Sequence, residues 1–274
     1  MPVGLRVTGA NGAAAGDGPA FDIVGDFDAR VRLSLDDWTP GANVHVFGKW
    51  TETGDQRSWR LIVNATGNLL LQHSADGIAF GSYTSTAVVP AVNGATIWVR
   101  AVLDVDNGAA GRDALFYTSA DGTNWAQLGT TVTTAGATTV FSSSAPVTLG
   151  SNGGGSVTGI TGWVYQAQLR NSIDGTVVMN PDFRVARLGS AVYVDSTGTA
   201  FFLGAGTAQH NGSYLAGSEE ALQAVAQRNH RTDLNRALRT ASGIDKDANG
   251  VSQQLWGTDL YQSRDQAYVM LGGT

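Results

Sequence analysis

Residue types able to do chemistry are sparse in this chain. The glutamates are Glu52, Glu219 and Glu220, whereas a glycoside hydrolase needs two carboxylates set about the scissile bond. Glu52 stands alone in a loop-like stretch, Glu219 and Glu220 lie far along the chain, and no strand-like run carries an alternating acidic cluster. Serine chemistry fares no better. There is no Gly-x-Ser-x-Gly elbow, and His45, His73, His210 and His230 lie in no recognisable nucleophile setting. The same histidines lack zinc spacing and are expected at the surface or at sheet edges. Cysteine is absent, which excludes disulfides and thiolate metal sites. The expectation is a protein that is not an enzyme.

Two acidic loops have the oxygen donors that calcium takes. Asp104 and Asp106, in Asp104-Val105-Asp106-Asn107-Gly108, are the candidate ligands, set against the simpler reading of an Asx-rich turn closing a strand. Asp245-Lys246-Asp247-Ala248-Asn249-Gly250 matches half an EF-hand loop, but its twelfth position is Trp256, so a turn is expected there. Aromatic rings are the remaining handle. Trp98, Trp125, Trp50 and Trp59 lie on or beside strand-like runs and are candidate platforms for sugar faces, although any of them can equally fill the space between sheets. Trp98 shares a face with Arg100 and Asp104 and is the best exposed candidate; alternation puts Trp163 on the apolar face of its run.

The elements that must position these residues are β-strands. Ser74-Ala75-Asp76-Gly77 is followed three residues after its glycine by Phe80, and Ser119-Ala120-Asp121-Gly122 by Trp125. Asp-Gly between strand-like runs signals a tight hairpin, because glycine accepts the positive φ that twisted strands demand there. Residues 21–38, 44–50, 58–64, 69–73, 96–106, 114–118, 160–170, 177–179, 191–195 and 199–203 read as strands. In 96–106, Ile97, Val99, Ala101, Leu103 and Val105 oppose Trp98, Arg100 and Asp104. In 21–38, Val31, Leu33 and Leu35 oppose Arg30, Arg32 and Ser34. Residues 130–144 read as a polar connection along a sheet edge. Thirty-six glycines and 15% charge fit many turns joining many short strands, and such a count suits a two-sheet jelly roll.

The pattern changes at Ser218, which can cap a helix with Glu219 and Glu220 in its first turn. Leu222, Val225, Leu234 and Leu238 fall at helical spacing, interrupted at residues 229–232, so one long helix or two short ones end at Gly243. Residues 253–271, with Trp256 and Tyr261, read as an amphipathic tail seeking a partner. Residues 1–217 are thus expected to form the sandwich and 218–274 a helical segment for assembly. A net charge of −6 argues against nucleic acid or an anionic membrane as a main partner. No run approaches a membrane span, and no secretory leader is visible in residues 1–18.

The run from Trp98 to Gly111, continuing into Phe116-Tyr117-Thr118-Ser119-Ala120-Asp121-Gly122 and Trp125, together with Gly175-Thr176-Val177-Val178 and Pro181-Asp182-Phe183, resembles the laminin-G/concanavalin-like domain of minor tail proteins of actinobacterial phages. The resemblance spans about residues 20–212. It implies a mainly β fold, a concanavalin A-like jelly-roll sandwich of two antiparallel sheets, carried on a virion tail and made in the host cytoplasm. It also implies other virion proteins and further copies of itself as partners, with contact to host cell-wall polysaccharide. It supplies no catalytic motif. The alternatives are a capsid decoration or tail scaffold with no specific ligand and, last, a glycan-degrading enzyme.

Overall fold

The computed structural model describes residues 4–10, 12–152, 157–186 and 191–203, and the backbone of 258–262 and 267–271. The chain divides into two compact units, Met1–Tyr214 and Leu215–Thr274.

The first unit is a jelly-roll sandwich of two antiparallel sheets. Its strands are β1 (Leu5–Thr8), β2 (Ala13–Ala15), β3 (Phe27–Leu35), β4 (Val44–Thr51), β5 (Gln56–Val63), β6 (Asn68–His73), β7 (Gly81–Val88), β8 (Thr96–Asp104), β9 (Gly111–Ser119), β10 (Ala126–Gln127), β11 (Val132–Ala135), β12 (Val147–Leu149), β13 (Thr158–Gly159), β14 (Thr161–Asn171), β15 (Thr176–Met179), β16 (Val192–Val194) and β17 (Ala200–Leu203). The first sheet runs β1-β14-β3-β8-β9-β10, with β11 also on β9 and β15 on β14. The second runs β16-β17-β2-β12-β4-β5-β6-β7, with the short β13 added parallel to β4.

Period-two alternation builds the core, since successive side chains on a strand point to opposite faces. Val31 and Leu33 of β3, Val99, Ala101 and Leu103 of β8, and Phe116 of β9 are buried from one side. Phe47, Leu61, Leu71 and Leu149 close on them from the other. Trp59 lies at the centre, 5.0 Å from the Phe27 ring and 4.9 Å from the Phe47 ring. Lys49 points the same way as Trp59, its strand partner, and is fully buried. The loop before β3 supplies its counter-charges, Asp17 at 2.7 Å and Asp22 at 2.5 Å.

Residues 130–144 cross from one sheet towards the other. β11 pairs with β9, the Thr138 and Val140 amides donate to the Val105 and Val24 carbonyls, and the Phe141 amide donates to Ser74. Several strands differ from the sequence expectation. β2 is an Ala-Ala-Ala run, β7 is Ser/Thr-rich and β12 is three residues long, so none shows a readable apolar period. The Asp-Gly turns are also wider than tight hairpins. Each opens with an ST/Asx arrangement in which the serine hydroxyl accepts from the glycine amide at 2.9 Å, while the aspartate accepts from the next two amides.

His45 and His73 are buried, not at the surface or an edge. His45 is covered where β13 runs beside β4, and its Nε2 is 3.0 Å from the Thr148 hydroxyl. His73 stacks on Tyr83 with ring centroids 5.5 Å apart and is covered by Thr138 of the crossing segment. Trp163 is corrected too. A bulge between Val164 and Gln166 shifts the phase of β14, so Val164 enters the core and half-buried Trp163 faces outward beneath the Arg6 guanidinium, at 5.4 Å.

In the second unit β18 (Thr258–Gln262) and β19 (Ala267–Leu271) form an antiparallel pair. These residues belong to the stretch expected to form a helical assembly segment, and here they are strands; Tyr261 lies on β18. The expected helices over 218–243, with Leu222, Val225, Leu234 and Leu238, lie outside the described residues, as do Trp256, His210 and His230. Among the described residues no helix is long and apolar enough to cross a membrane.

Candidate functional site

The outward face of the first sheet concentrates the polar and aromatic side chains left over when β3, β8, β9 and β14 bury their apolar halves. Strand register sets its rows. Arg32 of β3 stands opposite Trp98 of β8 and Gln166 of β14. In the next row Arg30 stands between Gln168 and Arg100, and Arg100 faces Tyr117 of β9. Asp28 and Arg170 occupy the row after that.

Asp28 organises this face. It is 0% exposed, and its carboxylate accepts a fork from Arg30, at 3.0 and 2.6 Å, and a second fork from Arg100, at 3.0 and 2.7 Å. The turn joining β14 to β15 contributes Asp174, whose amide donates to Asp28 and whose carboxylate binds Arg30 and, at 3.0 Å, Arg100. Ser172 and Asp174 hold φ of 73° and 52° in that turn, an uncommon conformation for residues with a Cβ. Burial opposes ionisation at both ends, but the Arg100 and Arg30 bonds outweigh it and lower the Asp174 pKa. Burial likewise opposes the charge of Arg30, but its bonds to Asp28 and then Asp174 outweigh it and raise the Arg30 pKa. Two arginines and two aspartates thus form a charge-balanced plate.

Trp125 lies on that plate. The Arg30 and Arg100 guanidiniums are 5.4 and 5.6 Å from its ring centroid, within cation–π range. Its ring meets that of Trp98 edge to face, with centroids 6.3 Å apart. Both tryptophans are half-buried, and among the described residues neither indole N–H has a hydrogen-bond partner or is sealed from solvent. The turn positions this pair: Gly122, at φ 77°, sits so close to Trp98 that a Cβ there would meet the indole at 2.7 Å. Rigid, partly exposed rings flanked by fixed polar groups suit the stacking of a sugar ring. Chemistry would need a nucleophile or a proton shuttle, and the carboxylates of this plate are committed to arginine.

The other two candidate rings cannot serve this way. Trp59 is core. Trp50 is 1% exposed, sealed under Arg60 at 4.3 Å and the Phe80 ring at 5.4 Å. Alternation after Phe47 and Lys49, which point inward, sets Trp50 on the outer face of β4, beneath those covers. The repeated turn motif therefore does the same thing twice, folding Phe80 over Trp50 on one sheet and Trp125 against Trp98 on the other. Asp104 and Asp106 each accept a backbone amide, from Asp106 and Gly108, and close the turn after β8. Among the described residues no group of three or more histidine or acidic side chains is placed to hold a metal.

No protein family matches the chain, and neither does any curated protein. Among solved structures, it is similar to the sialidase CBM40 of Ruminococcus gnavus bound to alpha2,6 sialyllactose, at 14% identity over 62% of this chain and 91% of that one, with a TM-score of 0.43. It is also similar to a native heptameric SAP-like pentraxin from Limulus polyphemus, at 14% identity over 62% of this chain and 75% of that one, with a TM-score of 0.41. The binding domain of botulinum neurotoxin DC in complex with rat synaptotagmin II matches at 9% identity over 65% of this chain and 40% of that one, with a TM-score of 0.38.

Sequence reasoning singled out Trp98 and Trp125 but missed Asp28, Arg30, Arg32 and Asp174. A signal existed in Asp28-x-Arg30-x-Arg32, three charges at strand spacing on a run whose other face is wholly apolar. Asp174 had none, because it reaches the site from 146 residues beyond Asp28.

Proposed function

We propose that this chain is a non-enzymatic virion structural protein, a minor tail protein at a tail tip or baseplate, whose sandwich presents a glycan-binding face to the host cell wall. The observation that carries the reading is the half-exposed Trp98–Trp125 pair, held by the arginine–aspartate plate on the outward face of the first sheet. The residues that bear the resemblance to phage tail domains, the run from Trp98 to Trp125, are the ones that build this pair. The second unit is assigned to assembly with other virion proteins or further copies.

Pull-down of actinobacterial cell-wall fragments by the purified full chain tests the reading. The wild type is expected to sediment with the fragments, and Trp98→Ala and Trp125→Ala are expected to abolish this while leaving a folded protein. Binding untouched by both changes overturns the assignment of the site. Release of soluble sugar from the fragments overturns the non-enzymatic role.

A second reading has its own observation. Val194 and Phe202, on the outer face of the β16–β17 edge hairpin, are 58% and 60% exposed, which suits a scaffold packed against neighbouring chains. Incorporation into particles without any wall binding would favour it.

A further inference from the structure

We propose that the ligand of this face is an acidic glycan, and that Arg32 reads its carboxylate beside Trp98. The inference rests on the reading of the Trp98–Trp125 face as a glycan site and narrows it to a class of sugar.

Arg32 differs from its neighbours. Arg30 and Arg100 are each bound to Asp28 and Asp174, and Arg170 donates to Gln168 and to the Gly175 carbonyl. Among the described residues Arg32 forms no ion pair and donates no hydrogen bond, and its one recorded partner is the Tyr165 ring, 5.9 Å from the guanidinium carbon. Its Nε is enclosed without an acceptor. The terminal nitrogens are neither bonded nor enclosed, so they reach solvent. A side chain that half-buries its charge and leaves its fork open is arranged to receive an oxyanion.

Register places the root of that side chain beside the stacking ring, and its guanidinium lies over Tyr165 of β14. Arg32 and Trp98 are direct cross-strand partners, so their Cβ atoms lie about 5 Å apart on one face. A pyranose stacked on Trp98 would extend over the neighbouring position on β3, where a ring carboxylate can take the free Arg32 nitrogens. The charge count agrees. With Arg30 and Arg100 paired to Asp28 and Asp174, and Asp104 at the far end of β8 beside Asp113, Arg32 is, among the described residues, the cation without a carboxylate partner in the row that holds Trp98. The open donors here, the Arg32 fork and both indole N–H groups, seek acceptors.

The test uses the full chain, with polygalacturonate and hyaluronan as acidic probes and the same polymers with their carboxyls reduced to alcohols as matched neutral ones. Binding is read by affinity electrophoresis and calorimetry. The expected result is binding to an acidic polymer that weakens at least about tenfold on carboxyl reduction and on Arg32→Gln, the usual worth of a charge-assisted hydrogen bond. Arg32→Lys should be intermediate, because it keeps the charge and loses the fork. Thermal melts of both variants confirm that they fold. Equal binding to acidic and reduced polymers, or an Arg32→Gln variant that binds like wild type, overturns the inference. So does failure to bind any acidic polymer. If wall-fragment binding still depends on Trp98 in those cases, the glycan site survives and only its acidic ligand is refuted. If wall binding ignores Trp98 and Trp125, the site reading itself has failed.

Discussion

Arg30 and Arg100 stand directly opposite one another on adjacent strands, both nearly buried, where like charges ought to repel. Asp28, one turn of the pleat away, makes this arrangement stable by taking a bidentate fork from each. The aromatic pair of the candidate site rests on that plate, so stability and recognition are coupled through one carboxylate.

Asp28→Asn is therefore expected to destabilise the sandwich by about 3–5 kcal/mol, the cost of leaving buried charge uncompensated. Urea unfolding followed by tryptophan fluorescence measures it. A loss within the error of the method would mean that Asp174 alone satisfies both arginines.

Trp59 and Trp98 separate packing from recognition. Trp59→Ala empties the space between Phe27 and Phe47 and should cost about 3–5 kcal/mol of stability. Trp98→Ala removes a half-exposed ring, should cost about 1 kcal/mol, and should abolish wall binding. Paired melting and pull-down measurements check this; the reverse pattern would refute it.

Gly122 and Gly108 make a matched comparison. Both have positive φ, 77° and 71°, but a Cβ on Gly122 meets the Trp98 indole at 2.7 Å, whereas one on Gly108 meets nothing within 4 Å. Each alanine variant should lose about 1 kcal/mol to backbone strain. Only Gly122→Ala should also displace Trp98 and weaken wall binding, a difference that calorimetry against wall polysaccharide would detect.

Acid should weaken the fold in a defined window. Burial, with the Arg60 charge added, lowers the His45 pKa to about 3, and burial, with the Arg112 charge added, lowers that of His73 to about 4. The unfolded chain thus takes up these protons first as pH falls. Stability is complete above the unfolded histidine value of about 6.5 and declines towards pH 4 by up to about 1.4 kcal/mol per pH unit for each histidine. Asp22 is lowered as well, because its Lys49 bond outweighs burial, and this adds a further loss only at lower pH, in the carboxylate range. Urea midpoints from pH 7.5 to 4 measure the slope, and His45→Gln should flatten it. A level profile between pH 6.5 and 5 would show that the histidines are not held neutral.

Where the backbone is regular, the residues alone determined the face. On β8 and β3 a period of two separates Val99, Ala101, Leu103, Val31 and Leu33 from Trp98, Arg100, Arg30 and Arg32, because alternation is a local property of extended backbone. The paired Ser-Ala-Asp-Gly turns were legible for the same reason: the hydroxyl, carboxylate and glycine act on amides within a few residues. Tertiary structure decided what local rules cannot reach. A bulge at Tyr165 resets the phase, so Trp163 faces out, and Trp50, outward by alternation, is sealed under Arg60 and Phe80. The burial of His45 and His73 came from segments distant in sequence that lie over them. The meeting of Asp28, Arg30, Arg100 and Asp174 depends on three strands and a turn closing into one sheet, and a contact of that range follows from the path of the whole chain.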